Sequence, residues 1–157
     1  MIYSTATVLV NPEDETPLSL SQAWQGLVLK ARDARHFLPP GFCTRCDVVE
    51  ESATHIVREA TIAGVDLREI ITFEPEKKVT FFQATGPREG AIVNELFEDA
   101  SGALRLRFYG LLGLRGKEPG GPEEQAEQAA LESENGYSAA LLSTLKRTRE
   151  LVAQGEF

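Results

Sequence analysis

The chain has 157 residues, 42% hydrophobic and 25% charged, with a formal net charge of −8. That length suits one domain with a core of its own. The negative balance argues against nucleic acid and anionic membrane surfaces as partners, because both require a basic face. No apolar run is long enough to span a bilayer, and Met1-Ile2-Tyr3-Ser4-Thr5 has neither a charged leader nor an apolar signal core, which reads as a cytoplasmic protein.

Tyr3 to Val10 alternates and is β-branched, the pattern of a strand. Ser19 with Gln22 three residues on is a capping box that opens a helix to about Ala34. Leu20, Ala23, Trp24, Leu27 and Ala31 form its apolar stripe, and Pro39-Pro40-Gly41 ends the region. Six strand-like runs follow: Cys43–Glu51, Thr54–Ala63, Val65–Phe73, Lys78–Thr85, Ala91–Glu98 and Ala103–Leu112. Their short links, Ala63-Gly64, Pro75-Glu76, Gly86-Pro87 and Ser101-Gly102, imply an antiparallel meander. Gly86-Pro87-Arg88-Glu89-Gly90 reads as a turn, not a phosphate cradle. With the first strand the sheet has seven.

A long helix is expected from about Pro122 to Ala153, acidic at its start and basic toward its end, as the helix dipole favours. Ala126, Ala130, Tyr137, Leu141, Leu145 and Val152 mark its apolar stripe, and Asn135-Gly136 kinks or splits it. After a strand meander, such a helix lies along the concave face of a curved sheet and encloses a cavity.

Cys43 and Cys46 have C-x-x-C spacing, but positions three apart on a strand face opposite ways. With no second pair and two histidines in the chain, they read as small apolar residues, and no metal is expected. No nucleotide, flavin or hydrolase motif occurs, so no cofactor is expected.

The order strand, helix, hairpin strands, long C-terminal helix resembles the helix-grip fold of the START-like (SRPBCC) superfamily, which includes birch-pollen-allergen-like proteins and polyketide cyclases. The run Phe42 to Phe73 and the ending Leu111-Leu112-Gly113-Leu114 resemble its AtaL-like branch. The resemblance implies one α+β domain over residues 1–157 with a hydrophobic internal cavity. It carries no catalytic residue with it.

Strand register adds detail. If Ala63-Gly64 is a two-residue hairpin loop, Ile62 faces Val65, Ala60 faces Leu67, Arg58 faces Glu69 and Ile56 faces Ile71. The other face then pairs Glu59 with Arg68 and Thr61 with Asp66, and puts His55 opposite Thr72 and outward. Carried across the sheet, Glu69 neighbours Gln83, Gln83 neighbours Asn94, and Asn94 neighbours Phe108. The concave face becomes an apolar cup, with Phe81, Leu96, Leu104 and Leu106, crossed by a polar belt of Arg58, Glu69, Gln83 and Asn94. Tyr137, on the inner stripe of the long helix, either points its hydroxyl into the cup or packs with it at the rim. Either the belt orients a ligand, or its members satisfy one another and buried water. His36, beside Phe37-Leu38-Pro39, lies where the cavity mouth is expected.

The predicted ligand set is Arg58, Glu69, Gln83, Asn94, Phe81, Phe108 and Tyr137. Three functions fit. The cup binds a small hydrophobic molecule such as a lipid, polyketide-like or aromatic metabolite, with Arg58 meeting a polar head. Or it is a cyclase or dehydratase with Glu69 as acid or base and Arg58 stabilising an enolate. Or it is an interaction protein whose cup is filled by its own side chains. On the binding reading, Arg58→Ala loses ligand with a modest change in stability. The outer-face residues Val57, Ile70, Phe82, Val93 and Phe97 offer an apolar surface for a homodimer.

Overall fold

The computed structural model describes residues 1–157. Strand β1 (Ile2–Leu9) is followed by helix α1 (Leu20–Arg32) and a single 3-10 turn (Ala34–His36). Six strands come next: β2 (Cys43–Glu51), β3 (His55–Ile62), β4 (Val65–Glu74), β5 (Lys78–Gln83), β6 (Arg88–Glu98) and β7 (Leu104–Leu114). Helices α2 (Pro122–Glu132) and α3 (Tyr137–Ala153) close the chain. All seven strands form one antiparallel sheet in the order β1-β7-β6-β5-β4-β3-β2. Successive hairpins build it, and β1 closes onto the last strand. No helix is long and apolar enough to cross a membrane.

Local chemistry starts α1 where the sequence predicts. Ser19 Oγ accepts from the Gln22 amide at 3.1 Å, and Gln22 Oε1 accepts from the Ser19 amide at 3.0 Å. The stripe Ala23, Leu27 and Ala31 faces the core, which also holds Ile56, Ile71, Val79, Leu96, Leu106, Leu141 and Leu145. Helices α1 and α3 meet where Gly26 lies against Thr148. A Cβ on Gly26 would sit 2.8 Å from Thr148 Cγ2 and closer still to its hydroxyl. Gly26→Val is therefore expected to cost about 1–3 kcal/mol by overpacking, read from the denaturant midpoint.

The C-terminal helix is split in two, the second of the alternatives that Asn135-Gly136 left open. The break spans Ser133 to Gly136, and a Cβ on Gly136 would lie 2.7 Å from the Ala130 carbonyl oxygen, so the chain turns there on glycine. Ala126 and Ala130 are exposed rather than part of the inner stripe. Helix α2 instead lies beside the open edge of β1. Gln128 accepts from the Tyr3 amide at 3.1 Å and donates to the Tyr3 carbonyl, taking up hydrogen-bonding groups that an edge strand leaves free.

The β3–β4 register matches the expected pairs residue for residue, Arg58 opposite Glu69 included. The next step holds as well, with Glu69 opposite Gln83. The third does not: Gln83 pairs with Gly90, and Asn94 pairs with Val79. Arg88, Glu89 and Gly90 belong to β6 rather than to a turn, because β5 ends at Gln83 and the connection is shorter than expected. The error is four residues, an even number, so Asn94 still faces inward, paired with Phe108. It stands roughly 13 Å along the sheet from Gln83. The continuous belt is therefore two separate polar places.

Strand β2 also departs from the simple pattern. A register shift between Cys43 and Arg45 inserts Thr44 as a bulge. Cys43 then pairs with Ile62 and Cys46 with Ala60, so both thiols are buried on the inner side, against Ala34 and Ala60, and not on opposite faces. They are free cysteines. On the outer face Ile70 and Phe82 are exposed, whereas Val57 and Val93 are covered.

Candidate functional site

A cavity of roughly 300 Å³ lies between the concave face of the sheet and the helices. Strands β3 to β7 contribute Arg58, Ile62, Glu69, Phe81, Arg88, Ile92, Asn94 and Phe108. Helix α1 contributes Lys30, α3 contributes Tyr137 and Ala140, and the α1–β2 connection contributes Ala34, Phe37 and Leu38. Six of the seven predicted ligand residues line it. The exception is Gln83, which is buried behind Glu69. The connection reaches the cavity through Phe37 and Leu38. His36 is exposed, 3.7 Å from Asp33, and takes no part. His55 sits at the β2–β3 turn, 2.7 Å from the Ser52 hydroxyl.

The first polar place is built around Arg58. Its Nε donates to Glu69 Oε2 at 3.0 Å and its Nη2 to the same oxygen. Its Nη1 donates to the carbonyls of Lys30 at 3.1 Å and Ala31 at 2.9 Å, in the last turn of α1. Gln83 Nε2 donates to Glu69 Oε1 at 2.9 Å. Four hydrogen bonds thus engage a side chain with five N–H donors. A cation at a helix C-terminus is well placed against the dipole. The group joins β3, β4, β5 and α1, and little of Arg58 is left for a ligand.

The second place is different in kind. Asn94 Oδ1 and the Tyr137 hydroxyl oxygen are buried and lack any hydrogen-bond partner. Tyr137 packs edge-on against Phe108, ring centres 6.2 Å apart, and its hydroxyl rests over Gly110, where a Cβ would come within 2.6 Å. Burial pushes the Tyr137 pKa up. Unsatisfied buried polar atoms cost about 1–3 kcal/mol each, so folded proteins rarely keep them unless something fills the need. Ser4 Oγ and Glu124 Oε2 are also unpartnered, but neither lines the cavity.

Sequence reasoning missed Lys30. It lies three residues after Leu27, on the inner side of the α1 stripe, and that spacing was the available signal. Lys30 Nζ donates to Thr144 Oγ1 at 3.2 Å and lies 4.3 Å from the Phe108 ring centre. Burial, with the nearby Arg58 charge adding to it and Glu69 opposing it, lowers its pKa from 10.5 to about 7. Arg88 was also missed. It pairs with Glu127, tying β6 to α2 at the cavity.

The sequence model of the family described as "AtaL: Acetylaranotin biosynthesis cluster protein L" matches residues 4–155. The chain belongs to the AtaL family. No curated protein sequence matches this AtaL-family member. Among solved structures, it is similar to the Zhui aromatase/cyclase from Streptomyces sp. R1128, at 17% identity and a TM-score of 0.61, over 96% of this chain and 94% of that one. It is similar to Ara h 8.0201 at 11% identity and a TM-score of 0.62, over 94% and 97%. One half of the di-domain aromatase/cyclase StfQ also matches, at 11% identity and a TM-score of 0.66, over 99% of this chain and 52% of that one. At such identities the likeness is one of fold, the helix grip.

Proposed function

We propose that this AtaL-family protein binds a small, largely apolar molecule carrying one or two polar groups in the cavity between sheet and helices. The observation that carries the reading is the pair of unpartnered buried atoms, Asn94 Oδ1 and Tyr137 Oη, in a cavity otherwise lined mainly by Phe, Ile, Leu and Ala. A few placed polar groups in an apolar pocket of about 300 Å³ or more are what a small-molecule site requires. The ligand's polar groups would meet Asn94, Tyr137 and Lys30, while Arg58, Glu69 and Gln83 hold the wall. Native mass spectrometry of the purified protein, with extraction and identification of any retained compound, tests it. An apolar compound bound one to one supports the reading. A cavity that retains nothing and takes up no aromatic probe contradicts it.

The two unpartnered atoms give a prediction in which binding and stability part company. Tyr137→Phe should lower affinity for a retained ligand by roughly 3–10-fold, the worth of one hydrogen bond. The same change removes a buried unsatisfied hydroxyl and should leave thermal stability equal or higher. Asn94→Leu should behave alike. Titration calorimetry and thermal melts of the two variants check both halves. A variant that melts well below the wild type would mean that these groups serve the fold.

A cyclase-like reaction in the same cavity is the second reading. One observation favours it: an amine near neutrality, Lys30, faces the space a ligand would fill. Lys30 suits acid–base work better than Glu69, whose two oxygens are taken by Arg58 and Gln83. The names of the Zhui and StfQ aromatase/cyclases support this reading by analogy of fold alone.

A further inference from the structure

Lys30 makes no salt bridge, unlike Lys78 and Lys117 on the surface, which pair with Glu74 and Glu123. The one carboxylate beside it, Glu69, is bound to Arg58. Its amine enters an apolar cavity from α1 and rests over the Phe108 ring. The single hydrogen bond it makes has a defined direction. Thr144 Oγ1 donates its own proton to the Ala140 carbonyl at 2.8 Å, so toward Lys30 it can only accept. An N–H of Lys30 is thereby held while the nitrogen lone pair of the neutral amine stays unengaged. We propose that Lys30 captures the carbonyl carbon of an aldehyde or ketone ligand as a reversible imine, which makes a carbonyl compound the substrate class of the cavity.

This inference rests on the cavity being a ligand site. The lone pair attacks the carbonyl carbon and the C–N bond forms, while the C=O π pair moves to oxygen. One nitrogen proton passes to that oxygen, giving the carbinolamine. The C–O bond then breaks, the second nitrogen proton leaves with the oxygen as water, and C=N forms. No oxidant or reductant is needed. The charged and titratable groups around the amine are Arg58 on β3, Glu69 on β4, Arg88 on β6 and Tyr137 on α3, all in the cavity lining. Burial and Arg58 both favour the neutral, nucleophilic amine, as in lysines that form Schiff bases in apolar pockets. A site meant only to hold a carboxylate by charge would need the opposite bias. The unpartnered Tyr137 hydroxyl is a donor in the same cavity for the carbinolamine oxygen.

The test incubates the full chain with naphthaldehyde and cyanoborohydride near pH 7, followed by peptide mapping. Naphthalenemethanol and naphthoate, which cannot form an imine, are titrated in parallel by calorimetry. At that pH the neutral fraction of Lys30 exceeds that of an ordinary surface lysine on the order of a thousandfold. Among the lysines, the expected result is one reduced adduct, on Lys30, far ahead of Lys77, Lys78, Lys117 and Lys146. Lys30→Met and Lys30→Arg should lose that adduct while still melting cooperatively as folded proteins. If naphthalenemethanol binds but Lys30 is labelled no faster than the surface lysines, the imine is overturned and the cavity stands. If naphthoate binds much more tightly than the alcohol, through Lys30 and without an adduct, the residue is a charge anchor and the imine is again overturned. If no probe binds, the cavity reading fails with it.

Discussion

Arg58→Ala is expected to lose about 3–5 kcal/mol of folding stability, a large part of the ~5–15 kcal/mol that a domain of this size has. The change strips Glu69 of its partner while leaving the carboxylate buried, and it frees two carbonyls in the last turn of α1. Glu69 would keep one bond, from Gln83. An isolated buried charge is the costly outcome; an apolar pair in the same space is not. The double variant Arg58→Met/Glu69→Leu should therefore recover much of the loss. Urea denaturation of the three proteins decides the matter. A loss below about 1 kcal/mol for Arg58→Ala would mean that the pair contributes little to the fold, and would return Arg58 to the ligand side. The structure thus replaces the expectation of a modest stability change with a severe one.

Lys30→Met should act in the opposite direction, raising stability in a way that depends on pH. The folded pKa of Lys30 is about 7, against an ordinary value of 10.5. Between those values the unfolded chain binds a proton that the folded chain has released, so this residue makes stability rise with pH across that window. Below about pH 7 the lysine is charged in both states, and its burial carries the full penalty. We expect that penalty to be roughly 2–4 kcal/mol, scaled down because Lys30 keeps some accessible surface in the cavity it lines. The methionine variant should gain that amount near pH 6 and little near pH 10. Tyr137 and Cys43, whose protonated forms burial favours, contribute slopes of the other sign, but they are common to both proteins and cancel in the difference. Paired denaturation curves at several pH values measure it. A difference that stays flat with pH would show that Lys30 keeps its charge in the folded state. A residue that weakens the fold while facing a cavity is the pattern expected of a functional group.

The fold was legible because its signals are local and repeat. The capping box at Ser19 and Gln22, the alternation in six runs and the two-residue loop at Ala63-Gly64 each point to one geometry, and together they specify the helix grip. The Arg58–Glu69 pair was legible for the same reason, since the loop sets its register. Legibility ended where the signal became non-local. The β5–β6 connection carries its turn signature at Gly86-Pro87, but the apparent turn on to Gly90 conceals three strand residues. An even error in register kept every side chain on its predicted face, so nothing in the polar–apolar pattern exposed it. The bulge at Thr44 put Cys43 and Cys46 on one side, which strict alternation forbids. Lys30 escaped because a lysine beside an apolar helix stripe usually snorkels to water. Only the position of α3 and Phe108 shows that it does not.

The most direct test of the central claim is a titration of the isotopically labelled protein with naphthalenemethanol, followed by amide and methyl chemical shifts in solution. The cavity account predicts saturable shifts concentrated at Lys30, Ile92, Asn94, Phe108 and Tyr137, which face one space from α1, β6, β7 and α3. Shifts confined to the exposed outer residues Ile70 and Phe82, or none at saturating probe, would contradict it.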